Sequence, residues 1–241
     1  MSDERASLYK SKSDKHLKLI SKVTRSVPPL IRQKGLANFS LSDVIKASGV
    51  PRTVFYRLFS SKDDVLAHTY LSLVLDRIEL TREVVSSFGG GHRDKIVLFY
   101  CVKLLSKPTR CLIDSGLNFY PSNKNLWNNA NEEILSEIRC ALLTLRNFNV
   151  SLFTMAIDSG DLSESKEDVR DIIHDMMIFE LGYIAYISSR DLLRSNSDLK
   201  ELEVFNKLFD AIGAYAWAGC SDKGSVELYE EVMGMLSLSE R

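Results

Sequence analysis

Residues 40–66 read SLSDVIKASGVPRTVFYRLFSSKDDVL: two short helices, a tight turn between them, and a third helix starting at once. Projected at about 100° per residue, residues 51–59 bring Arg52, Thr53, Tyr56 and Arg57 onto one arc. Val54, Phe55 and Leu58 fall opposite, with Phe59 at the edge. One face suits a core. The other offers two guanidiniums, a phenol and a hydroxyl, groups that meet phosphates and base edges. The helix before it carries Leu41, Val44, Ile45 and Ser48 at i, i+3, i+4, i+7, an inward stripe. Ser40 and Asp43 have the S-x-x-D spacing of an N-terminal cap. Gly49 stands where the first helix must stop, and Pro51 where the next should start. This is the helix-turn-helix pattern. Geometry alone also allows a helical hairpin with one wet face, so both readings stay open at this point.

The residues Val50, Phe55, Tyr56, Phe59, Ser61, Lys62, Asp63 and Asp64 carry a resemblance to the TetR family of bacterial transcriptional regulators. It extends over about thirty residues and is only general beyond them. The resemblance implies that the second helix of the motif enters the major groove. By position it makes Tyr56 and Lys62 phosphate contacts, Arg52, Thr53 and Arg57 the base-facing groups, and Ser40 a further phosphate contact. Val54 stands where the family often has Thr, and Ser60 where it often has Pro.

Charge is split along the chain. Residues 1–62 hold 13 Lys and Arg against 4 Asp and Glu, while the remainder holds 18 against 28. A basic front on an acidic body implies a polyanion partner for the front only. With 45% hydrophobic and 26% charged residues, the composition is that of a soluble globular chain. The 5 prolines and 12 glycines leave room for long helices, and no period-2 run argues for a sheet. The expected fold class is all-α. Cys101, Cys111, Cys140 and Cys220 are scattered and form no C-x-x-C pair, which reads as reduced thiols in a cytoplasmic protein; a redox sensor is the weaker alternative. No secretion signal and no apolar run near the roughly 18 residues of a membrane span are expected, residues 176–187 being the longest candidate, so no membrane partner is expected.

Taken in order, residues 1–14 read as a flexible basic arm. Residues 16–34 should form a helix with Leu17, Ile20, Val23 and Val27 inward, kinked or broken near Ser26 by Pro28-Pro29, with a short helix restarting at Pro28. Residues 61–87 read as one long helix, and in the family this element joins head to body. Gly89-Gly90-Gly91-His92 lacks the strand and the Lys-Ser/Thr ending of a phosphate loop and reads as a connection. Helices are expected at 93–105, 108–115, 126–146 and 150–159. Aromatics recur there, and the resemblance implies a pocket for a small, often apolar effector of unknown identity, with Phe119, Trp127, Phe153, Met176 and Tyr183 as candidate lining; plain core is the competing reading for each.

Residues 163–190 should form a strong helix, capped by Ser163 or Ser165, apolar on more than one side and so covered on more than one side. Residues 198–220 are its expected partner, with Gly213, Ala216 and Gly219 permitting close approach of another helix. The resemblance implies that this pair builds a two-fold interface, giving a homodimer whose two heads read two half-sites. A terminal helix is expected at 226–238.

The expectation is a DNA-binding domain at 1–66 and a helical regulatory and dimerisation domain at 67–241. The implied function is a regulator, repressor rather than activator, released from a pseudo-palindromic operator by a ligand. The alternative is a DNA-bound protein of the same fold that answers to a protein partner. No paired carboxylates, metal-ligand cluster or activated nucleophile argues for an enzyme, and no metal or cofactor is expected.

Overall fold

The computed structural model describes residues 14–193, 201–218 and 223–239. Residues 1–13 of the expected arm at 1–14, with Gly219 and Cys220, lie outside the described residues, and Asp14 opens a helix. The helices are α1 (Asp14–Lys34), α2 (Leu41–Ser48), α3 (Arg52–Leu58), α4 (Lys62–Ser87), α5 (His92–Leu105), α6 (Lys107–Asp114), α7 (Glu132–Asp158), α8 (Val169–Leu193), α9 (Glu201–Gly213) and α10 (Ser225–Ser239). Two 3₁₀ turns, Leu117–Ser122 and Lys124–Leu126, lie between α6 and α7. No strand forms among the described residues; Leu162 and Trp217 share an isolated antiparallel bridge.

The chain divides into two units, Met1–Asp76 with Arg110–Leu143, and Arg77–Thr109 with Thr144–Arg241. In the first, α1 packs on α2. Val23, Val27, Val44, Phe55 and Phe59 are almost wholly buried. The Phe55 and Phe59 rings stand 5.1 Å apart, and Phe59 meets the His68 ring edge-on at 5.2 Å. From Asp64 to Leu71 every residue of α4 is buried. In the second unit α5 is buried without a break from Ile96 to Val102, and α9 packs on both α5 and α10. Val204, Phe205, Leu208 and Ile212 of α9, with Leu228, Val232 and Leu236 of α10, supply apolar core there.

Four expectations are corrected. First, α1 runs unbroken through Pro28 and Pro29. The carbonyls of Thr24 and Arg25 lose their ladder donors, but Val23, Val27 and Ile31 are buried on either side of the gap and hold both halves to one core. Second, α7 is a single helix of 27 residues where a break at 147–149 was expected. Asn149 is 3% exposed, and its amide donates to the Tyr100 hydroxyl at 2.7 Å, so the polar residue is satisfied inside the helix instead of ending it. Third, the expected helix at 198–220 ends at Gly213. What approaches Gly213 closely is the Arg93 guanidinium, which also lies 4.2 Å over the Phe209 ring. Residues 216–218 pair with 161–163 instead: Ser163 donates to the Ala216 carbonyl and Ala218 to that of Asp161, each at 2.8 Å. Fourth, α7 is long and apolar enough by length and composition to cross a membrane. Its charged residues include Glu132, Glu133, Arg139 and Asp158; Ile134, Ile138, Leu145, Leu152 and Phe153 are buried in the protein, while Leu143 and Met155 stand 53% and 50% exposed.

Candidate nucleic-acid interface

The turn between α2 and α3 forms as its residues require. Ser40 caps α2 in a reciprocal box. Its hydroxyl accepts from the Asp43 N–H at 3.2 Å, and the Asp43 carboxylate accepts from the Ser40 N–H at 2.9 Å. The Lys34 ammonium reaches the same carboxylate at 2.5 Å and ties α1 to α2. That contact first, then the Ser40 donors, holds the Asp43 carboxyl down to about 2. Gly49 adopts φ +63, the left-handed conformation that ends α2, and its N–H bonds back to the Ile45 carbonyl. Pro51 takes the N-cap of α3 at φ −55.

Seven residues then make α3. Phe55 is fully buried, while Arg52, Thr53, Tyr56 and Arg57 are exposed, with Tyr56 at 45%. The Arg52 guanidinium carbon lies 5.6 Å from the centre of the Tyr56 ring, and the Arg57 Nε donates to the Thr53 carbonyl at 3.4 Å. The four polar groups therefore share one exposed face of a helix whose other face is core.

Lys62 is more occupied than its sequence position suggests. Its ammonium donates to the carbonyls of Leu36 at 2.9 Å and Ala37 at 3.1 Å, and it stands 4.1 Å from the Phe39 ring centre. Partial desolvation pulls its pKa down, with Asp63 opposing. One N–H remains for another acceptor. The Ser40 hydroxyl is likewise engaged in its cap.

Of the five lining candidates, Phe119 and Trp127 belong to the first unit, and Phe153, Met176 and Tyr183 to the second. Phe119 is 41% exposed; Phe153 and Met176 are buried. Within the second unit those three flank a polar cluster that sequence reading missed. Lys103 pairs with Glu180, and its ammonium lies 5.5 Å and 5.4 Å from the ring centres of Phe99 and Tyr100. The Tyr100 hydroxyl takes the Asn149 amide, while the Asn149 Oδ1 has no partner. Burial drives the Tyr100 phenol well above its ordinary value; the Asn149 bond opposes this, and Glu180 and Tyr215 reinforce it. Phe153 lies one turn from Asn149, and Met176 and Tyr183 one turn either side of Glu180. The signal in the sequence was Glu180 interrupting an apolar helix. Burial also raises the thiols of Cys101 and Cys111, so neither is a ready thiolate.

The family described as "Bacterial regulatory proteins, tetR family" matches residues 29–69, which span the end of α1, all of α2 and α3, and the start of α4. No curated protein matches the chain. Among solved structures, a TetR-family transcriptional regulator from Cytophaga hutchinsonii superposes with TM-score 0.61 at 16% identity, over 87% of this chain and 100% of that one. A TetR transcription regulator from Haloarcula marismortui gives 0.62 at 15%, over 82% and 98%. The regulator FadR from Bacillus subtilis, solved in complex with stearoyl-CoA, gives 0.59 at 18%, over 80% and 97%. At such identities the structural likeness establishes the fold.

Proposed function

We propose that the chain is a transcriptional regulator of the TetR family, and that it is a homodimeric, cytoplasmic repressor released from a pseudo-palindromic operator by a small molecule. The observation that carries the DNA-reading assignment is the exposed face of α3, set on a buried Phe55. Arg52, Thr53 and Arg57 face bases; Tyr56, the remaining N–H of Lys62 and the flank of Ser40 face phosphates. Residues 1–66 then form the DNA-binding domain and residues 67–241 the regulatory and dimerising one, with α4 running across that boundary.

Dimerisation rests on α8. Val169, Ile172, Met176 and Ile184 are buried, but Met177, Ile178 and Leu181 stand 46%, 58% and 55% exposed on another side. An apolar stripe left open in one chain suits a second copy. The helix at 201–213 contributes less than the sequence suggested, because its apolar side is spent on α5 and α10. The effector reading draws on the Lys103, Glu180, Tyr100 and Asn149 cluster among aromatics, since an apolar interior with a few convergent polar groups suits a small ligand. The ligand shifts the dimer by its differential affinity for the two head spacings.

Selection of bound fragments from the host genome tests this. Expected are fragments sharing two inverted half-sites, shifted on gels by the dimer and freed by a compound that also raises the melting temperature. If no fragment is shifted at low ionic strength, the reading fails.

A further inference from the structure

The first unit holds a junction made by two neighbouring carboxylates. Asp64 is 5% exposed, and two separate segments share it. Its Oδ2 accepts from the Ser60 N–H at 2.9 Å and from the Ser60 hydroxyl. Ser60 directly follows Phe59, the residue that closes α3. Its Oδ1 accepts from the Asn131 N–H at 2.6 Å. Asn131 directly precedes α7, and its own side chain accepts from the Glu133 N–H at 2.9 Å as a helix cap. Beside it, the Asp63 carboxylate accepts from Asn129 twice, from the backbone N–H at 2.9 Å and from the amide at 3.0 Å. The Ser61 hydroxyl donates to the Asn129 carbonyl at 3.1 Å. Bonds from both carboxylates and a serine thus fasten the segment after the reading helix to the segment before α7.

We propose that Asp63 and Asp64 are positioning residues for DNA binding, and that they set the seat of α3 according to where α7 begins. This rests on the reading of α3 as the DNA-reading helix. The reason is geometric. At its N-terminus α3 has no side-chain cap, and at its C-terminus the residue after the C-cap Phe59 is held by Asp64. The bonds to Asp64 are charge-assisted, and no water-facing route replaces them at 5% exposure. A displacement of residues 129–131 must therefore carry Ser60 with it or leave a buried carboxylate short of donors. Residues 129–131 lie outside the matched family segment 29–69, so the head takes part of its positioning from elsewhere in the chain.

The test is sign-discriminating. Removing a negative charge from a cationic head tightens DNA binding by simple electrostatics; loss of positioning weakens it. Asp64→Asn is expected to bind a selected genomic fragment about tenfold more weakly with an unchanged salt slope. Asn129→Ala, a truncation at an exposed residue that keeps the fold, should weaken binding about threefold, and should have no further effect in Asp63→Ala protein, which lacks the accepting oxygen. Thermal melts establish that each variant is folded at the assay temperature. Asp64→Asn binding as tightly as wild type or tighter, or Asn129→Ala acting equally in both backgrounds, overturns the positioning role. If Asp64→Asn does not fold, the Asn129 and Asp63 cycle decides alone. Wild-type protein that shifts no fragment overturns the DNA-reading assignment instead, and this role with it.

Discussion

Arg52 and Lys62 are both cations at the front of the molecule, and they should fail differently. Arg52 is exposed, and its guanidinium rests beside the Tyr56 ring, which limits its freedom before any partner arrives. Arg52→Ala should cost about 1–3 kcal/mol of discrimination at one base position, read as loss of preference between the selected operator and a scrambled one. Lys62 holds the carbonyls of Leu36 and Ala37. Lys62→Ala should therefore lower stability in urea by about 1–2 kcal/mol, weaken binding evenly across sequences and flatten the salt slope by about one unit. Asp43 gives a pH prediction. Its folded pKa, about 2, lies below the ordinary carboxylate value. Its contribution is therefore fully present above the unfolded pKa and is lost as pH falls through the folded one. The stability gap between wild type and Asp43→Asn, measured by urea melts, should be at its full width from about pH 5 upward and should close on acidification toward pH 2.

At the scale of elements, helix ends and helix continuity followed different rules. The ends of α2 were legible because Ser40, Asp43 and Gly49 act on their own neighbours. The continuity of α1 and α7 was not, because it depends on what packs alongside. Asn149 would end many helices; here it is inside, bound to Tyr100 of α5. Tyr100→Phe should destabilise the protein by about 1–3 kcal/mol, since the Asn149 amide then loses its recorded partner in a buried setting. Tyr100→Phe with Asn149→Leu should recover much of that loss, because both polar groups leave together. Chemical denaturation of the two singles and the double reads the coupling directly.

For the whole molecule, the decisive prediction concerns α8. Leu181→Glu places a charge on the exposed apolar stripe of Met177, Ile178 and Leu181. Light scattering should report a monomer, and affinity for a two-half-site operator should fall by at least about a hundredfold, toward that of a single head. An unchanged dimer would move the interface off this helix. The charge split along the chain also predicts a steep loss of DNA affinity with added salt, because the cationic front supplies the phosphate contacts.

The sequence by itself determined the helix-turn-helix and the face of α3 that meets solvent. Caps, left-handed glycines and a 3.6-residue period are local properties, carried by residues within one or two turns of each other. It also determined that the front is basic, since charge adds without regard to folding. Tertiary structure alone decided that Lys62 is half spent on Leu36 and Ala37, that α7 stays whole through Asn149, and that Asp63 and Asp64 bind residues 129–131. Asp63 and Asp64 are read from sequence as first-turn acids complementing a helix dipole. Their true partners lie 66 and 67 residues away, and nothing in a local pattern encodes which distant N–H groups a buried carboxylate will find.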